Sequence, residues 1–219
     1  MMSTHELDEF CEIYQDVRLP FWVQTRVETI TDWRLKKLKG AGLHRVAFGI
    51  ENGHEKFRQK VVLKEFSNDE AVRKLEITAA MGVTYNTNNM VGYPHETREI
   101  AMYTVELNRR FPKVDTTNCF TFTPYYGTPA RDEAVRAGFM EPDMIAPGAA
   151  EDSVLNMPQF TKDEIRKLRK TFALYVKFPK SRWPEIERAE EETPAGRALL
   201  QELQTEYREE CFGEPKNSF

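Results

Sequence analysis

His44-Arg45-Val46-Ala47-Phe48-Gly49-Ile50-Glu51-Asn52-Gly53 reads as a strand that runs straight into a loop. Side chains of an extended segment alternate between faces, so Val46, Phe48 and Ile50 share one side while Ala47, Gly49 and Glu51 share the other. The first side is apolar and calls for helices against it. The second is nearly empty, and its small residues leave room beside the backbone. A carboxylate at the strand's end, followed by Asn-Gly, stands where an α/β barrel places a ligand contact.

The flanking sequence supplies neighbours for that strand. Leu7, Phe10, Ile13, Tyr14 and Val17 have helical spacing and predict an amphipathic helix over 4–17. Pro20 to Arg26 reads as a buried strand with Gln24 and Arg26 on the side of Trp22. Thr31 caps a helix whose Leu35 and Leu38 face inward and whose end is marked by Gly40. After the central strand, Glu55 to Leu63 predicts a short helix. Ser67 with Glu70 forms a capping box for a longer one, running to Met81 and stopped by Gly82. Val83 to Val91 is the next strand, with Asn86, Asn88 and Met90 on one face. Ile100, Tyr103, Leu107 and Phe111 trace a helix stripe, Thr116 to Thr123 a further strand, and Ala130 to Ala137 a short helix.

Strand and helix thus alternate four times, which predicts an α/β fold with a parallel sheet, open or closed into a barrel. The expected division is a barrel portion over 1–140, a linker over 141–160 that crosses the surface, and a helical region over 161–219 opened by the Thr161–Glu164 capping box.

Composition narrows the function classes. A net charge of -4 and a pI near 5.7 give nucleic-acid binding no electrostatic support. Cys11, Cys119 and Cys211 lie too far apart in sequence for metal-ligand spacing or a disulfide framework, in keeping with a reducing compartment. No apolar run approaches the roughly 20 residues that span a bilayer, and the first residues lack the apolar core of a signal peptide. The expectation is a soluble cytoplasmic protein.

In a parallel sheet, ligands bind beyond the carboxyl ends of the strands, which singles out Arg26, Glu51, Asn88 to Glu96, and Tyr125 to Thr128. Glu51 suits a sugar hydroxyl or acid–base work; it equally suits an ion pair with Arg26 or Arg45. Gly92-Tyr93-Pro94-His95-Glu96 lets backbone approach a ligand, or is a strand-to-helix turn with Glu96 at the helix N-terminus. His54 and His95 have no second ligand at metal spacing. Arg166 to Lys170 reads as a solvated helix face.

The order of these pieces is more specific than any one of them. Arg26, then Lys39-Gly40-Ala41-Gly42, then Phe48-Gly49-Ile50-Glu51-Asn52-Gly53, then Met90-Val91-Gly92-Tyr93-Pro94-His95-Glu96-Thr97, then Pro124-Tyr125-Tyr126-Gly127-Thr128 resembles the second half of a radical S-adenosylmethionine (SAM) domain. The likeness is nearest to the subgroup that often carries a cobalamin-binding domain before the radical domain. It implies a partial parallel barrel that holds SAM against a [4Fe-4S] cluster and generates a 5′-deoxyadenosyl radical, with cobalamin as an optional second cofactor. Carried over by residue, the resemblance assigns cofactor contacts to Arg26, Glu51, Asn88, and Gly92 with Pro94. Glu51 would meet the ribose or methionine part, Asn88 the ribose and adenine, and the Gly92–Pro94 loop the adenine. Lys64 or Arg58 would meet the cofactor carboxylate.

One departure is large. The family's cluster is held by three cysteines in a C-x₃-C-x₂-C run, and this sequence has none. The resemblance therefore implies that the cluster ligands come from a missing N-terminal half, as part of a longer enzyme or as a separate chain. Two other readings stand beside it: a partner subunit or pseudo-enzyme that pairs through the exposed edge near residues 21–26, and a barrel hydrolase using Glu51 and Glu96.

Overall fold

The structure, a computed structural model, describes residues 2–213. The ends of the expected regions, Met1 and residues 214–219, lie outside the described residues.

Thirteen regular elements follow the predicted alternation closely. They are α1 (Thr4–Val17), β1 (Phe21–Thr25), α2 (Asp32–Gly40), β2 (Leu43–Glu51), α3 (Glu55–Phe57), α4 (Asn68–Ala80), β3 (Thr84–Val91), α5 (Arg98–Arg109), β4 (Thr116–Thr121), α6 (Pro129–Arg136), α7 (Lys162–Lys177), α8 (Trp183–Ala189) and α9 (Pro194–Phe212). Side-chain caps explain where several helices start. Thr31, Thr97, Thr128 and Thr193 each accept a backbone N–H three residues on, a contact worth about 1 kcal/mol. Full capping boxes form at Ser3–Glu6 and Thr161–Glu164. At Ser67 only half of the expected box forms, because its hydroxyl accepts from Glu70 N at 3.0 Å while the Glu70 side chain does not reach back.

The four strands make one open parallel sheet in the order β1-β2-β3-β4. Val46, Phe48 and Ile50 are fully buried on its outer face, where they meet Tyr85, Leu35 of α2, Leu75 of α4 and Leu107 of α5. Each such side chain contributes about 2 kcal/mol by leaving water. A second core joins Val91 and Phe122 to Ile165, Leu168 and Phe172 of α7 and Leu203 of α9. The C-terminal helices are therefore packed onto the β3–β4 side of the sheet. Residues 141–160, expected as a surface linker, supply Leu155, Met157 and Phe160 to this core. They also cover the β4 edge, since Thr121 N donates to Ala149 O and Thr121 Oγ1 donates to Glu151 O. The β1 edge has no further strand among the described residues.

Strand β3 carries four consecutive polar residues, Asn86 to Asn89, in the middle of the sheet, so each needs a partner. On the outer face α5 provides one: Thr87 Oγ1 donates to Asn108 Oδ1 at 2.7 Å, and Asn108 Nδ2 donates to Asn89 Oδ1 at 2.8 Å. The loop after β2 sits against the same helix, where Gly53 N donates to Thr104 Oγ1 and a Cβ at Gly53 would lie 2.2 Å from Tyr103 O. Only glycine permits that approach. No helix among the described residues is long and apolar enough to cross a membrane.

Candidate cofactor site

Glu51 ends β2 in the left-handed region, at φ 67°. For a residue with a Cβ this conformation costs about 1–2 kcal/mol. It carries the carboxylate back beside Gly49: a Cβ added there would meet Glu51 Oε1 at 2.5 Å and Lys64 Nζ at 3.0 Å. The empty face read from the sequence is thus occupied by an ion pair, in which Lys64 Nζ lies 2.9 Å from Glu51 Oε1 and donates to Gly49 O at 2.8 Å. Both side chains are less than one-fifth exposed. Neither arginine named as an alternative partner takes this role. Arg45 pairs with Asp115 and Arg26 with Glu28.

Lys64 reaches Glu51 because the segment expected as one helix over 55–63 divides. It forms one α turn, then a π turn at Arg58–Val62, then a left-handed Leu63 at φ 58°. Arg58, the other cation considered for a ligand carboxylate, is fully buried and donates to Asn52 O, Phe66 O and Asn68 Oδ1. It braces the loop and leaves Lys64 as the cation at the strand end. Arg26 is half exposed just past β1, where its guanidinium grips Glu28 at 2.6 and 3.1 Å. Burial pushes the Glu28 carboxyl up, but the Arg26 hydrogen bond and the charge of Lys64 hold it below the usual carboxylate range.

The inner face of the sheet continues the polar surface. Register pairs Gly49 with Asn88 and Asn88 with Asn118. Asn118 Nδ2 and Asn86 Nδ2 both donate to Asn88 Oδ1, at 2.9 and 3.2 Å. Asn88 Nδ2 has no acceptor among the described residues. Asn118 went unnamed in the sequence reading, although alternation from Phe120 along Thr116 to Thr123 places it on this face.

Parallel pairing brings Gly92 to the same end of the sheet, one residue past β3 at φ 91°. Its surroundings differ from the expected adenine platform. Gly92 N and Tyr93 N both donate to Glu96 Oε2, at 2.5 and 3.1 Å, and a Cβ at Gly92 would meet Ile165 of α7 at 3.1 Å. Pro94 is buried. The loop's donors are engaged within the protein, so its contribution to a ligand is shape.

Glu96 is fully enclosed and also accepts from Asn52 Nδ2 at 2.6 Å. Burial pushes its carboxyl up to about 8, against three hydrogen bonds that favour the anion. With no exposed surface and both oxygens engaged, Glu96 cannot flank a substrate, which removes the hydrolase pairing with Glu51. The Tyr93 hydroxyl is likewise pushed up, first by burial and then by the charges of Glu51 and Glu96.

Comparison with known proteins agrees with this geometry. Residues 3–107 match the model of the Radical SAM superfamily. Over that stretch the chain is similar to radical SAM proteins. It is 25% identical over 157 residues to an uncharacterized methyltransferase of Pyrococcus horikoshii, covering 71% of this chain and 34% of that protein. Among solved structures, coproporphyrinogen III oxidase of Escherichia coli, a radical SAM enzyme, superposes with a TM-score of 0.57 at 17% identity over 80% of this chain and 37% of that one. The radical SAM methyltransferase TsrM of Kitasatospora setae, with cobalamin and a [4Fe-4S] cluster bound, gives 0.54 at 13% identity over 91% and 48%. The chain therefore spans between a third and a half of the proteins it matches. Its open four-stranded parallel sheet shares its fold with part of those structures.

The residues present do not fit an iron–sulfur cluster. Cys11 lies in α1, Cys119 in β4 and Cys211 in α9. Burial pushes all three thiols up, away from the thiolate that ligates metal. No group of three metal-ligating side chains gathers among the described residues. SAM itself fits better, because a carboxylate, an ammonium and an open amide donor stand together at the carboxyl ends of β2 and β3.

Proposed function

We propose that this chain forms the SAM-binding part of a radical SAM enzyme of the methyltransferase-like kind, whose cluster ligands and any cobalamin are held by polypeptide beyond the described residues. The observation that carries this reading is the Glu51–Lys64 pair seated over Gly49 beside the Asn88 ladder. Glu51 accepts from the cofactor's ribose hydroxyls or ammonium, Lys64 donates to its carboxylate, and Asn88 donates to the ribose. Gly92 and Pro94 bound the adenine side, and Arg26 is a second cation at the neighbouring strand end. SAM, when bound in the complete enzyme, supplies the 5′-deoxyadenosyl group. The names of the Pyrococcus relative and of TsrM support methyl transfer as the reaction class.

A completing polypeptide has a place to dock. The β1 edge has no partner strand among the described residues, and Ile13, Val17, Leu19 and Trp22 expose large apolar side chains. An unpaired parallel strand beside an apolar patch invites a further strand. Equilibrium dialysis against radiolabelled SAM tests the binding reading. The intact chain is expected to retain label weakly, while Glu51→Ala and Asn88→Ala lose it. Equal retention by all three proteins would overturn the assignment.

A further inference from the structure

A cleft at the strand ends lies outside the cofactor contacts. It is an open space of about 550 Å³ between the π turn after β2, the loop after β3 and α6, a size that suits a small organic ligand. Val61, Leu63, Pro129 and Ala130 supply apolar lining. Leu63 is 60% exposed although its backbone is held in the left-handed region. His95, which also lines the cleft, is likewise a non-glycine residue with positive φ, at 64°. Strained backbone of this kind gathers where side chains must be presented, as do π turns.

The rim is charged and unbalanced. Glu133 takes both His95, at 2.6 Å to Nε2, and Arg136. Lys60 faces the same space with no acidic partner among the described residues. Lys60 and Arg136 thus stand against one carboxylate beside exposed apolar residues.

We infer that this cleft binds an organic carboxylate with an apolar body, its anionic end between Lys60 and Arg136 and its body on Leu63 and Val61. The inference stands apart from the SAM contacts, but the two sites adjoin, since Leu63 in the cleft wall precedes the Lys64 that meets Glu51. A ligand here would lie next to the cofactor.

The test uses 4-phenylbutyrate and its neutral analogue 4-phenylbutanamide, each titrated into the full chain and followed by NMR at the Leu63 methyl groups and the His95 ring. The acid is expected to shift both saturably and to bind at least tenfold more tightly than the amide. Lys60→Glu, a change at an exposed position, is expected to abolish that preference while leaving the rest of the spectrum and the SAM dialysis unchanged. Equal binding of acid and amide, absence of binding by either, or an acid preference that survives Lys60→Glu would overturn the inference. Because SAM retention is measured on the same samples, loss of one site is read separately from loss of the other.

Discussion

Lys64 Nζ sits 2.9 Å from Glu51 Oε1, bridging the end of β2 and the segment that returns after the π turn. The pair closes over Gly49, so the glycine is required for space. Gly49→Ala would push a methyl group against the ends of two flexible side chains, with no backbone in the way. Thermal unfolding should show a loss within about 1 kcal/mol, while SAM retention falls at least tenfold. A variant that binds normally would show that the pair is not the contact.

Arg58 and Lys64 separate structure from binding. Arg58→Met strands three acceptors beneath the loop, and urea denaturation should register a loss of about 2–4 kcal/mol. Lys64→Met removes a largely buried ion pair and the hydrogen bond to Gly49 O, and its stability change should be about 1–2 kcal/mol, below that of Arg58→Met, while SAM retention drops. The reverse ranking would assign Lys64 to the scaffold.

Much of this arrangement was legible in the sequence because period-two alternation decides which face of β2 and β3 each residue takes. Val46, Phe48 and Ile50 went to the helices, and Glu51, Asn88 and Gly92 came to one end of the sheet. What the sequence hid is set by contacts remote along the chain. Nothing local signals that residues 58–62 form a π turn, so the Lys64–Glu51 pair was invisible and Arg26 and Arg45 looked like equal partners. The donors of Gly92 and Tyr93 are taken by Glu96 through the curl of one loop, and α7 fills the space beside Gly92 from more than 70 residues away. The Pro- and Gly-containing stretch 141–160 read as a linker, since three buried apolar residues in an irregular segment leave no periodic trace.

Glu96 predicts a pH dependence. Its carboxyl is raised in the folded protein to about 8, from an ordinary value of 4.5. Between those values the native state binds the extra proton, so stability is greatest at the acid end and declines as pH rises toward 8. The slope is at most about 1.4 kcal/mol per pH unit. Urea midpoints from pH 5 to 9 should fall for the native chain. Glu96→Gln should flatten the curve and lower it throughout by about 1–3 kcal/mol, because with the amide oxygen kept on Gly92 N and Tyr93 N its N–H₂ faces the Asn52 Nδ2 donor. A rising native curve would contradict the assignment.

Asn108 joins β3 to α5 through Thr87, Asn89 and its own Thr104 carbonyl. Asn108→Ala leaves buried polar groups on both elements without partners, and calorimetry should record a loss of about 2–4 kcal/mol. A near-neutral result would mean that the network is not needed to hold the polar strand in the sheet.

The side-chain amides of Asn88 and Asn118 report most directly on the central claim, that SAM is held at the inner face beside Glu51. In a ¹⁵N-labelled chain titrated with SAM, these two amides should shift together and saturably, and Glu51→Ala should remove the effect. Saturable shifts confined to other parts of the molecule, or none at all, would contradict it.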